Sequence, residues 1–158
     1  MVYDREITTR SARETAEVGR ELAVALKQSA RPGRGAQRRI NAATVCLYGE
    51  LGSGKTTFIR GFVRGLGLTS RLPSPTYIIV RRYKIPGHIY FYHADLYRVT
   101  EEDVESLGLS EFFADYRSFV AVEWAEKLGG LLPKSRTDIR FSLLEDGSRM
   151  IIIKNVKE

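Results

Sequence analysis

Between an apolar run, Ala43-Thr44-Val45-Cys46-Leu47-Tyr48, and apolar residues at helical spacing, Phe58, Phe62, Val63 and Leu66, lies the stretch Gly49 to Thr57, GELGSGKTT. It fits the pattern G-x-x-x-x-G-K-[ST], with a buried strand expected before it and an amphipathic helix after it. Gly49, Gly52 and Gly54 carry no Cβ, so the loop can take positive φ and turn successive backbone N–H groups toward one anion. The helix opening near Gly54 adds unpaired N–H groups and about half a positive charge. Phosphate oxygens suit such a cradle, which runs through Leu51, Gly52, Ser53 and Gly54 to Thr57. Lys55 then stands where it reaches β- and γ-phosphates, and the Thr56 hydroxyl where it completes the shell of a bridging Mg²⁺.

With 158 residues, 43% of them hydrophobic, residues 1–158 are expected to form a single domain that buries roughly two thirds of its unfolded surface. Its apolar runs fall short of the about 18 residues of a membrane span, and the opening MVYDREITTR is too charged for a signal peptide. A cytoplasmic protein without membrane contact is expected. The lone cysteine, Cys46, lies within the apolar strand and reads as a small core residue. Net charge is +6, with a pI near 9.6, which attracts polyanions such as RNA at low salt. Arg31, Arg34, Arg38 and Arg39 gather in a Pro/Gly-containing stretch without interleaved aromatics. That stretch reads as a solvated loop or as a contact with RNA or an acidic protein.

Along the chain, a short strand is expected over Tyr3 to Thr8. Ser11-Ala12-Arg13-Glu14 then forms an S-x-x-E capping box. A helix follows to about Gln28, with Ala12, Ala16, Gly19, Leu22, Ala23 and Leu26 on a face suited to a sheet. Gly65 and Gly67 stop the second helix. A loop holding Pro73 and Pro75 leads to a strand opening at Tyr77-Ile78-Ile79-Val80. The Pro86-Gly87 turn returns the chain as Ile89 to Ala94, an antiparallel hairpin. Thr100-Glu101-Glu102-Asp103 offers a helix start, and Ser110 a cap for a short helix with Leu109, Phe112 and Phe113. Phe119 to Val122 reads as a buried parallel strand ending in Glu123. A last hairpin joins Ile139–Leu144 to Met150–Ile153 through Asp146-Gly147. The expected fold is α/β, a three-layer sandwich of the P-loop NTPase kind with a mixed sheet and antiparallel hairpins.

Phosphate transfer or hydrolysis needs a carboxylate for the metal and a group to position the attacking oxygen. Glu123, at the C-terminal end of an apolar strand, stands where open α/β sheets place ligands. It can meet Mg²⁺ directly, meet it through water, or orient a nucleophilic water. Asp95, in His93-Ala94-Asp95-Leu96-Tyr97-Arg98, can accept a hydrogen bond near the γ-phosphate, hold a metal-bound water, or simply form a turn. Thr76, in Ser74-Pro75-Thr76, can report on a γ-phosphate as switch loops do, or belong to an ordinary turn. His93 reads as structural, and Trp124 as a base-stacking or core residue.

Taken in order, Gly49–Thr57, Ser74-Pro75-Thr76-Tyr77, His93-Ala94-Asp95-Leu96-Tyr97-Arg98 and Val122-Glu123-Trp124 closely resemble the motif series of the bacterial TsaE (YjeE) family. The likeness runs from about Ser11 to Ile153. It implies a Mg²⁺-dependent ATPase, binding ATP and ADP, that serves threonylcarbamoylation of adenosine beside the tRNA anticodon. It also implies partners, a TsaD-type transferase and a TsaB-type protein, with tRNA met through their complex, which ATP hydrolysis resets. By position, Lys55 holds phosphates, Thr56 and Glu123 hold Mg²⁺, Thr76 is the switch threonine, Asp95 serves hydrolysis, and Trp124 lies near the nucleotide. Ser53 stands where the family usually has Ala, and the arginine-rich stretch is longer than usual. Two other functions fit a phosphate loop: a small-molecule kinase, against which the chain shows no arginine-bearing lid, and a nucleotide-gated RNA-binding protein. Adenine preference rests on the resemblance alone, since there is no guanine-reading N-K-x-D segment.

Overall fold

The computed structural model describes residues 4–30, 43–69 and 78–157, and opens with strand β1 (Arg5–Thr9) and helix α1 (Ala12–Ser29). The helix begins where the capping box places it, with the Glu14 N–H donating to Ser11 Oγ at 3.1 Å. The Glu14 carboxylate reaches one residue past the cap and accepts the Arg10 N–H at 2.6 Å. Of the expected apolar face, Gly19, Leu22, Ala23 and Leu26 are buried, but Ala12 is exposed and Ala16 half-buried. Thr15 and Val18 complete the buried stripe instead, because the side of α1 that is covered is set by a neighbouring helix.

That helix is α2 (Lys55–Gly65), which follows β2 (Ala43–Tyr48). The small residues of α1, read as a sheet-packing face, meet α2. A Cβ added at Gly65 would lie 2.5 Å from the Arg20 carbonyl oxygen and 2.7 Å from Ala23 Cβ. Phe58, Phe62, Val63 and Leu66 are buried as their spacing predicts. The helix ends in a Schellman motif: the Gly67 N–H donates to Arg64 O at 3.0 Å and the Leu68 N–H to Val63 O at 3.1 Å.

Strands β3 (Val80–Ile85) and β4 (Ile89–Asp95) form the expected antiparallel hairpin. β3 starts at Val80, after Ile78 and Ile79, which are exposed; Tyr77 lies outside the described residues. Thr100 and Asp103 cap a turn that leads into a 3₁₀ segment, Val104–Leu107, in place of the helix expected there. Helix α3 (Leu109–Ala114) starts from Gly108, whose φ of +68° reverses the chain, so Ser110 sits inside the helix and does not cap it. β5 (Ser118–Glu123), a 3₁₀ segment Ala125–Leu131, β6 (Arg136–Leu143) and β7 (Arg149–Val156) complete the described elements.

The described strands make one mixed sheet in the order β1-β7-β6-β2-β5-β4-β3. β6, β2, β5 and β4 run parallel, while β1, β7 and β3 are antiparallel to their neighbours. On one face α1 and α2 bury Phe58, Ile59 and Phe62 with Val45, Phe91 and Ile151. On the other, α3 and the 3₁₀ segments cover Cys46, Val120 and Val122 with Val104, Leu109 and Leu128. This is the expected three-layer α/β sandwich. Cys46 is fully buried, which pushes its thiol up to about 12 and fits its reading as core. Among the described residues no helix is long and apolar enough to cross a membrane.

Candidate functional site

Strand register decides which side chains meet. Glu123, the last residue of β5, is level with Leu47 near the end of β2 and with Asp95 at the end of β4. The carboxyl ends of these parallel strands therefore open onto one edge, the place where α/β sheets hold ligands. β2 leads into the glycine-rich loop at that edge. Gly54 adopts φ +111°, beyond the easy reach of a residue with Cβ, and no side chain among the described residues caps the first N–H groups of α2 behind it. At Gly49 a Cβ would fall 2.7 Å from Ser53 Oγ and 2.9 Å from the Phe141 carbonyl oxygen, so the loop closes back on β6. Ser53 Oγ is itself buried without a partner among the described residues.

Lys55 is 5% exposed, and its Nζ donates to the carbonyl oxygens of Gly49 and, at 2.9 Å, of Glu50. It also lies 4.4 Å from the centre of the Trp124 ring. Burial lowers its pKa, against the pull of the Glu123, Glu126 and Asp95 carboxylates. Thr56 Oγ1 donates to Glu123 Oε1 at 3.3 Å, and the other carboxylate oxygen of Glu123 is 2.8 Å from His93 Nε2. His93, read as structural, thus holds a candidate metal ligand in place. Asp95 Oδ1 accepts the Tyr97 N–H at 3.1 Å, an Asx turn, while burial first and the Glu123 charge second raise its pKa. Trp124 takes a left-handed φ of +59°, and its ring lies 5.1 Å from that of Tyr97. It also packs on the core beneath α3.

A pocket of ≈ 260 Å³ joins these groups, lined by Leu51, Gly52, Gly54, Lys55, Thr56, Thr57, Asp95, Tyr97, Trp124 and Arg149. Two of these, Tyr97 and Arg149, have no site role in the sequence reading. Tyr97 is signalled by its place two residues after Asp95. Arg149 has no local signal, because only the return of β7 along β6 brings it to the loop. Thr76 and the stretch Arg31–Arg39 lie outside the described residues. Among those described, no group of three or more His, Cys, Asp and Glu side chains could hold a metal unaided. A hydroxyl and a carboxylate beside uncapped helix N–H groups fit Mg²⁺ in another way, with phosphate and water oxygens filling the rest of its shell. Buried Ser53 Oγ and the uncapped N–H groups leave the loop with donors to spare for phosphate.

The family model of the threonylcarbamoyl adenosine biosynthesis protein TsaE matches residues 9–151. The chain belongs to the TsaE family. The tRNA threonylcarbamoyladenosine biosynthesis protein TsaE of Treponema pallidum is 32% identical over 147 residues, 92% of this chain and 96% of that protein. The proteins of the same name from Haemophilus influenzae and Bacillus subtilis are 37% and 42% identical over 113 and 105 residues. These matches cover 71% and 66% of this chain and 70% and 65% of the relatives. The crystal structure of YdiB from Bacillus subtilis superposes with a TM-score of 0.74 at 31% identity, covering 99% of this chain and 88% of that one. The family match therefore spans the phosphate loop, the two strand-end acids and the closing hairpin as far as Ile151.

Proposed function

We propose that this TsaE-family chain binds Mg-ATP in the pocket at the strand ends, hydrolyses it slowly alone, and uses the cycle to reset a TsaD-type transferase with its TsaB-type partner during threonylcarbamoylation of tRNA. The observation that carries the reading is the single pocket in which Lys55, Thr56 and Asp95 converge, with Glu123 bonded to Thr56. Lys55, tethered by two loop carbonyls, is pre-placed to meet β- and γ-phosphate oxygens. Thr56 and Glu123 would hold Mg²⁺, whose charge offsets that developing on the phosphoryl oxygens. His93 fixes one oxygen of Glu123 and leaves the other toward Thr56. The Asp95 carboxylate, its pKa raised by burial and by Glu123, is a stronger base than an exposed aspartate and suits orienting a water at the γ-phosphate. The Trp124 ring lies over Lys55 Nζ at 4.4 Å and flanks it with an aromatic face.

The deciding measurement is phosphate release from Mg-ATP by the purified protein, alone and with the transferase, its partner and tRNA. Acceleration by the complex supports resetting; turnover unmoved by any combination rejects it. Lys55→Ala is expected to weaken nucleotide binding about tenfold or more, as loss of a charge-assisted bond does, and undiminished affinity would reject the phosphate role.

A further inference from the structure

Arg149 opens β7 directly after the Asp146-Gly147 turn, paired across the sheet with Leu143 on β6 and Thr9 on β1. Its stem lies against the phosphate loop: a Cβ added at Gly54 would sit 3.0 Å from Arg149 Cδ and 3.2 Å from Nε. Glycine at 54 therefore serves twice, once for its positive φ and once for the room it gives this arginine. The Nε is buried and has no hydrogen-bond partner among the described residues. The arginines of the facing strand are engaged otherwise: Arg136 donates to Asp138 at 2.8 Å, and Arg140 lies 4.4 Å above the Tyr48 ring. A guanidinium held against a glycine-rich loop, lining its pocket and short of an acceptor, is arranged for an anion.

Which part of that anion it meets follows from the sheet. β7 lies two strands from β2 on one side, and β4, bearing Asp95, lies two strands away on the other. At a strand spacing of about 4.8 Å, each flank is about 10 Å from the strand that feeds the loop. A triphosphate laid across the strand ends with its γ end at Thr56, Glu123 and Asp95 would turn its α and β phosphates toward β7. Resting on the nucleotide reading above, we infer that Arg149 is a phosphate-binding residue, clamping the α/β portion common to ATP and ADP from the side opposite the acids.

The test is equilibrium binding, by calorimetry, of Mg-ADP and of a non-hydrolysable Mg-ATP analogue to the wild type, Arg149→Met and Arg149→Lys. Methionine keeps an unbranched stem against Gly54 and removes the charge. The expected result is a loss of about ten- to a hundredfold in Arg149→Met, equal for the two nucleotides, with part of it recovered in Arg149→Lys. Wild-type affinity in Arg149→Met overturns the assignment, as does a loss confined to the ATP analogue, which would put the contact on the γ-phosphate. Should the methionine variant fail to fold, the lysine variant decides: a modest loss equal for both nucleotides supports the clamp, and no loss or a loss for one alone rejects it. A wild-type protein that binds neither nucleotide sinks the reading of the whole site and the clamp with it.

Discussion

Replacing Gly61 with alanine tests the helix pair that carries the phosphate loop. A Cβ there would lie 1.7 Å from the Ala16 carbonyl oxygen, half the 3.4 Å at which ordinary contact begins. The neighbour is backbone in the second turn of α1, so it cannot rotate aside as a side chain would. The helices must part by about 1.5 Å, and a gap of about 0.5–1 Å already forfeits a quarter to a half of a dispersion contact. Overpacking of this kind costs about 3 kcal/mol at the upper end of its usual range. Alanine's better helix propensity offsets about 1 kcal/mol of that. The net loss of about 2 kcal/mol translates into a fall in Tm of about 4–8 °C for a chain of this size. Thermal unfolding followed by circular dichroism measures it, with Gly130→Ala as control, since a Cβ at Gly130 meets nothing within 4 Å. A Gly61→Ala protein as stable as wild type would refute the close crossing of α1 and α2.

Asp95→Asn should cut turnover by about a hundredfold or more while sparing nucleotide affinity, and single-turnover kinetics beside calorimetry separates the two effects. Because the folded pKa of Asp95 is raised, its contribution to stability is full below the unfolded value and is lost as pH rises through the folded one. The asparagine variant without nucleotide should therefore be more stable than wild type at neutral pH and lose that advantage in acid, as Tm against pH will tell. His93→Ala removes the 2.8 Å partner of Glu123, so the Mg²⁺ needed for half-maximal turnover should rise about ten- to a hundredfold; an unshifted magnesium titration would deny His93 a positioning role. Cys46, fully buried with its thiol near 12, should resist alkylation at pH 8 until urea unfolds the chain, and rapid labelling of the native protein would contradict its burial.

The residues make legible whatever depends on neighbours in sequence. The strand, loop and helix around Gly49–Thr57 follow from spacing alone, as do the helix cap at Ser11 and the hairpin turns at Gly87 and Gly147. Contacts between distant segments carry no such local signal. Thr15 and Val18 are buried because α1 leans on α2, a partner that periodicity does not name. Ser110 reads as a cap because serine favours that place, yet the positive φ of Gly108 starts the helix two residues earlier. Within the site, Glu123 and Asp95 are marked by their strand ends, and register sets them side by side. His93 reads only as structural and Arg149 carries no local signal, since one acts through a carboxylate thirty residues on and the other arrives from the final hairpin.

The bonds from Lys55 to the carbonyls of Gly49 and Glu50 have a bearing on how the loop meets its ligand. They staple the loop's beginning to its end through its own cation, so its concave shape is set before any nucleotide arrives. Little ordering entropy is then left to lose on binding. A variant lacking the amine forfeits the mould along with the charge, and an added polyamine would restore only the second.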